Sequence, residues 1–579
     1  MLNQLQYISK HWIKPRLAIL PCLLALILPS QVAWAQKVSF SGTARNLLEN
    51  NFLNRSDTVN PDRNASGYTL ADLNFNIRPN AVTEISAQMR MRNEYGGYWG
   101  DGASITFRQL YMKGIIANRL RYTVGDLNYK LTPYTFFNPD GDGQINEAGT
   151  FRMFRELVEY DNFNQGNTWR QQGLMTEIRL HDEKLFDTLT VNGFIGRNRG
   201  NNLADLADII QSAGKVQLQL NRFIQFGGNY AQLFALGQGR LDTTIFNNVI
   251  GSGNWNFQND GKRWKYWFSG EAGASSLVFT KDPEAPKAAE DYFYEGQIGL
   301  NDKDLGLTFT GTWREVGPEF FSAAAQTKRI NFRQSPLRFP TVGNEKLARP
   351  LSTWDLMRDN GLYNQTISPT LMAYDPRLGV ARPFGLATPN RRGINLTVKY
   401  IDFKKIWSLG VEYAGLSEVQ AEGTQGIKRN FGVFSGKGSL ALGRWLNMKR
   451  TINLSSGYQF EQVQRGGTPL ESVKLSNQML DAGLEVEVLP QLDLMLGYRQ
   501  VKSEGNEYLN VRNSFNIITQ YQIYQMKSTE EVLGYGIRYR FSQFAYVALQ
   551  GHRLSLTMTR PQESRYGINQ FFCLFNMQF

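Results

Sequence analysis

"GINQFFCLFNMQF" (Gly567–Phe579) closes the chain. Phe571, Cys573, Phe575, Met577 and Phe579 fall on alternate positions, with Phe572, Leu574, Asn576 and Gln578 between them. A period of two is the strand period, because successive side chains point to opposite faces. A chain end usually frays unless something ties it down. An apolar row that runs to the last residue predicts a final strand that is paired and buried along one face to its end.

The same alternation recurs along the chain. In "EISAQMRMRNE" Ile85, Ala87, Met89 and Met91 face one way, and Glu84, Ser86, Gln88, Arg90, Arg92 and Glu94 the other. "DAGLEVEV" sets Ala482, Leu484, Val486 and Val488 against Asp481, Gly483, Glu485 and Glu487. "LGYGIRYRF" sets Leu533, Tyr535, Ile537, Tyr539 and Phe541 against Gly534, Gly536, Arg538 and Arg540. Strands of soluble sandwiches run to about 5–6 residues. These approach the roughly 9–11 that a tilted strand needs to cross a bilayer. The chain is 13% aromatic with 54 glycines, and its mean hydropathy of −0.38 fits a barrel whose outer and inner faces cancel.

On these residues the chain resembles bacterial outer-membrane β-barrel proteins of the porin-like superfamily, and no narrower family. In that superfamily the last strand carries alternate aromatic or apolar residues and commonly ends on Phe. Phe575, Met577 and Phe579 match that pattern. The resemblance implies recognition by the barrel assembly machinery, contact with outer-membrane lipid and residence in the outer membrane of a Gram-negative bacterium.

The start agrees. Lys10, Lys14 and Arg16 precede the apolar run Leu17–Pro29, and Ala33 and Ala35 supply the small residues of a cleavage site. A secretory signal peptide over residues 1–35 is expected, since thirteen apolar residues are short for a span. The barrel then takes residues 36–579. Ten short polar connections, at 78–81, 116–119, 182–187, 221–222, 259–262, 301–304, 401–405, 443–449, 489–491 and 542–544, alternate with longer ones. They predict an all-β fold: a single transmembrane antiparallel barrel of about 22 strands (20–24), with both termini periplasmic and long extracellular loops. "NSFNIITQYQIYQ" (513–525) could add a hairpin beyond the membrane.

Two connections are long, at about 127–167 and 317–392. Loops of that length are functional or disordered. The second carries eleven basic and five acidic side chains, a net of +6, including Arg329, Arg333 and Arg338. These three are candidates for a constriction. No plug domain is expected ahead of the first strand, and barrels of 22 strands are normally plugged. The long loops are the economical closure.

Chemistry is sparse. His552 is placed in the lumen with Gln550 and Tyr546, and no oriented catalytic partner is evident, so no catalytic residue is assigned and no enzyme is expected. Cys573 is the one cysteine outside the signal peptide, which excludes an intramolecular disulfide. "FNPDGDGQINEAG" places Asn138, Asp140 and Asp142 at the spacing of the front half of a calcium loop, with Gly149 where the acidic ligand belongs. Calcium and a polar surface turn are the two readings; no other cofactor is expected. Arg90, Arg92, Arg538 and Arg540 with Glu485 and Glu487 are expected to line a wet lumen. Nucleic acid is not expected as a partner.

The expected function is a porin-like channel or transporter with its lumen restricted by inward-folded loops. The rivals are an export or envelope-assembly barrel closed by a periplasmic or lipoprotein partner, and a barrel that anchors a surface interaction protein.

Overall fold

The computed structural model describes residues 37–55, 62–95, 103–137, 147–162, 171–182, 184–198, 208–236, 247–278, 289–325, 379–383, 385–512, 518–560 and 563–579. Twenty-two strands form one antiparallel sheet. It begins with β1 (Lys37–Arg55) and ends with β22 (Ser564–Gln578). These two strands pair with each other from Thr43↔Gln578 to Arg55↔Tyr566. The sheet therefore closes and has no free edge, so the strand backbones satisfy one another without water. The seam is latched at the chain end. Gly42 N–H donates to the Phe579 carbonyl at 2.7 Å, and Phe579 N–H donates back to Gly42 at 3.0 Å.

The side-chain distribution inverts that of a soluble protein. Outward positions carry exposed apolar groups such as Phe40, Ile105, Phe107, Ile298, Leu533 and Phe571. Inward positions bury Asp72, Arg90, Asn248, Asp481, Arg499 and Gln570. Apolar outside and polar inside is the arrangement a lipid solvent requires. Trp264, Tyr266, Trp407 and Phe541 lie outward at the short-turn end. At the other end the Tyr292 and Tyr294 hydroxyls both donate to Glu315, at 3.0 and 2.9 Å.

All ten short connections join consecutive strands at one end of the barrel. Among the described residues the 513–525 stretch adds no separate hairpin. β19 (Leu492–Arg512) and β20 (Ile518–Arg540) instead run long, and their ribbon continues as one pair. The two long connections follow β5 (Leu120–Leu127) and β13 (Leu307–Val316), and end at β6 (Gln171–Asp182) and β14 (Arg391–Ile401). Residues 1–35, where a signal peptide is expected, lie outside those described.

Candidate functional site

Two described stretches of the first long connection lie inside the lumen. Its opening stretch, residues 128–137, lies on the wall formed by the strands between β6 and β13. Tyr129 stacks on Phe194 at 5.1 Å, and Tyr134 stacks on Phe293 at 4.2 Å. The Tyr129 hydroxyl donates to Asn192 at 2.6 Å, the Thr132 hydroxyl donates to Glu271 at 2.8 Å, and the Tyr134 hydroxyl donates to Glu295.

Its second described stretch contains helix α1 (Gly149–Asn162). Phe151, Phe154 and Leu157 recur at three-residue spacing and make one apolar face. That face needs an apolar partner, and the inward side of the closing strands supplies it. Phe154 and Leu157 pack with Leu47, Leu70, Ala548, Phe572 and Leu574. Phe151 packs with Val532, Leu554, Leu556 and Ile568. Arg152 and Glu156 on the opposite face are exposed, and they line the space left inside the barrel.

The first turn sits in a trough of glycines. Gly483 of β18 (Val473–Leu489), Gly497 of β19 and Gly534 of β20 are direct cross-strand neighbours in one row. A methyl group on Gly497 would stand 2.6 Å from the Thr150 hydroxyl and 2.9 Å from Ala148 Cβ; one on Gly534 would stand 2.7 Å from the Phe151 ring. No other residue lets the helix approach so closely. Beside the trough, Asp481 accepts the Ala148 N–H at 2.7 Å and pairs with Arg499, which also holds Glu147 at 2.9 Å.

At the helix C-terminal end, Tyr160 donates to Asp72 at 2.5 Å. Burial pushes this phenol above its usual pKa, and the Asp72 carboxylate adds to the shift, so it stays a donor. The guanidiniums of Arg45, Arg90 and Arg108 lie 4.9–5.4 Å from its ring. Arg90 binds Asp72 with two hydrogen bonds of 2.8 and 2.7 Å, and Arg108 reaches the Tyr160 carbonyl at 2.6 Å.

Depth follows from strand counting. Gly497 lies five residues from the short-turn end of its strand, Glu271 and Glu295 seven, and Asp72 eight. At about 3.3 Å per residue and a tilt near 40°, that is roughly 13–20 Å into the wall. The two described stretches of the first connection therefore lie near mid-membrane depth, on opposite walls of the lumen.

The described ends of the second long connection join it. Ala324 accepts the Phe137 N–H at 3.0 Å, and the Ser322 hydroxyl donates to the Thr135 carbonyl at 3.1 Å. Val380 and Ala381 pack on Val433 and Val463, while the Gly379 and Val380 amides donate to Glu461.

The expected lumen charges are all paired inside the barrel. Beyond Arg90, Arg92 donates to Glu94 at 2.5 Å. Arg538 pairs with Asp493 at 2.8 Å and lies 3.9 Å from Glu485; Arg540 pairs with Glu487 and Asp493 at 3.0 and 2.9 Å. His552 is buried against Phe151, Phe154 and Phe572, with Nδ1 3.0 Å from the Gln570 side-chain oxygen. It belongs to the helix seat. Phe575, Met577 and Phe579 lie on the outward face of β22, with Phe579 covering Gly42. Arg329, Arg333 and Arg338 lie outside the described residues, as do Asn138, Asp140 and Asp142. Glu147, the acid nearest the calcium-like spacing, is engaged with Arg499. Among the described residues no cluster of His, Cys, Asp and Glu could hold a metal.

Arg45, Arg108, Arg314, Arg499, Tyr134 and Tyr160 were not singled out from sequence. A signal for the helix seat was present: Phe572 and Leu574 are apolar on the inward face of the last strand, where water alone would call for polar groups.

No family model and no curated protein matches the sequence. Among solved structures the chain is similar to the translocation pore of the P pilus usher PapC, at 9% identity and a TM-score of 0.37, over 93% of this chain and 99% of that one. OccAB2 of Acinetobacter baumannii gives 9% identity and 0.36, over 94% and 98%. OccK9 of Pseudomonas aeruginosa gives 9% and 0.35, over 94% and 99%. These likenesses are too slight to carry a function. The closed 22-stranded antiparallel wall, apolar outside and polar within, is the architecture of bacterial outer-membrane β-barrels.

Proposed function

We propose that this barrel is an outer-membrane channel for small hydrophilic solutes, without catalysis, whose conductance is set by the first long connection. The observation that supports this is the mid-membrane course of residues 128–137 and 147–162, anchored on opposite walls. A bare barrel of this size would leave a hole far wider than a porin's. The partition narrows it from within the chain. The space beside it is bordered by Arg152, Glu156 and wall carboxylates, which suits water and polar solutes.

Sequence composition alone points to the basic 317–392 loop as the main constriction. The anchoring contacts favour 128–162 instead, with the ends of the second loop as a brace. The test replaces residues 138–162 with a short Gly/Ser linker and records single-channel conductance in planar bilayers. The wild-type chain is expected to give small discrete steps, and the deletion a several-fold rise. A folded deletion that conducts no better than wild type would shift the reading to a barrel sealed by a separate partner protein.

A further inference from the structure

We propose that the partition opens by a carboxylate exchange at Glu295, from Tyr134 in the closed arrangement to Arg314 in the open one. This concerns the regulation of the site and rests on the channel reading above. Arg314 is the observation that calls for it. Its side chain is 2% exposed, yet among the described residues its Nε and Nη1 have no hydrogen-bond partner. Guanidinium N–H groups taken out of water without a partner are strongly unfavourable, and native structures keep such groups only for a reason.

The missing partner is close at hand. Glu295 stands directly opposite Arg314 in the strand register, and directly opposed side chains on one face lie within pairing reach. Glu295 is engaged elsewhere: it accepts the hydroxyl of Tyr134, whose ring is stacked on Phe293 at 4.2 Å. The neighbouring carboxylate on the other side, Glu271, is taken by the hydroxyls of Thr132 and Ser252, at 2.8 and 2.6 Å. Both carboxylates of the ladder are thus bound by neutral hydroxyls, two of them from the partition, while the adjacent cation goes unmatched.

Two arrangements of the same groups follow. With residues 128–137 docked, the wall keeps the aromatic stacking and the Tyr134 hydrogen bond and bears the unpaired Arg314. With the segment lifted, stacking is lost and a charge-assisted Arg314–Glu295 pair forms, stronger than the neutral-donor bond it replaces. The unmatched charge offsets part of the docking energy, so neither arrangement is overwhelmingly favoured. A bistable element of that kind is what a gate needs.

The test uses the full-length barrel in a Cys573→Ser background with Ala231→Cys. Ala231 is fully buried in the cluster that Tyr129, Tyr134 and Phe136 form with Phe320, Ala324 and Ala387, so its thiol reacts when that cluster opens, and the labelling rate reads the open fraction. Arg314→Gln is expected to slow labelling several-fold, since it relieves the closed state and removes the open-state pair. Glu295→Gln should slow it too. Tyr134→Phe should speed it, and Arg314→Lys should stay near wild type. If Arg314 were only a packing residue, Arg314→Gln would label as fast as wild type or faster, and that result overturns the exchange. Conductance recorded on the same variants keeps the two readings apart. Labelling that follows the expected order without any ion conduction would retain the exchange and reject the channel. Conduction with an unslowed Arg314→Gln would do the reverse.

Discussion

At the scale of single residues, the lumen wall is written in glycine and in unlike charges. Gly497 has its hydrogen where any other residue would put a carbon 2.6 Å from Thr150 Oγ1. Gly497→Leu is therefore expected to unseat the helix and leave the barrel intact. Protease cleavage within 147–162 should appear in folded, heat-modifiable protein, and conductance should rise. Arg499 carries a different load, because Asp481 and Glu147 both depend on it. Arg499→Leu would strand two buried carboxylates, and breaking a buried pair from one side costs about 3–5 kcal/mol. A matching drop in the denaturant midpoint for loss of the helix is the expected result. Phe579→Asp removes the ring over Gly42 and sets a charge at the seam, so poor assembly and low membrane yield are expected from quantitative blotting of outer-membrane fractions. These positions also mark how far a sequence can be read. Arg538, Arg540, Glu485 and Glu487 were identifiable because alternation alone fixes which side of a strand is inward. Arg499 and Arg314 obey the same parity, but nothing local distinguishes a wall charge facing water from one facing a folded-in loop. That depends on contacts between residues hundreds of positions apart.

At the scale of elements, strands and short turns were readable and helix α1 was not. A strand's period and its turn are local, whereas the helix was masked by its position inside a long polar connection. "TFRMFRELVEYDN" does carry Phe151, Phe154 and Leu157 at helical spacing, yet a lone amphipathic segment says nothing about which surface receives it. The receiving surface was half visible in the doubly apolar stretch Phe571–Phe575. Its outward side matched lipid, and its inward side awaited Phe154. Phe154→Ala should remove docking energy without touching the strand ladder. Truncating a buried Phe costs about 3–5 kcal/mol, and here the loss falls on the helix. Amide exchange is expected to quicken across 149–162 while the strands stay protected. Equal loss of protection in both would mean that the helix is a structural member of the barrel.

At the scale of the whole molecule, one end carries ten tight turns and the other the long connections. Because bacterial barrels keep their short turns on the periplasmic side, cysteines placed at Ser335 or Asn364 in Cys573→Ser protein should label on intact cells, and those at Asn80 or Asp302 should not. The opposite pattern would invert the orientation. The seat of helix α1 also bears on time. Ala148 is bonded to Asp481, 333 residues further along the chain, and the rest of the trough comes from β18 to β20 and from the closing strands. The seat joins Leu47 and Leu70 to Ala548, Phe572 and Leu574 across the closing seam. The helix therefore cannot be fully seated until the first and last strands have met. A nascent barrel is then an open ring until it is a complete one, and any product closed in the wrong register would betray itself by leaking.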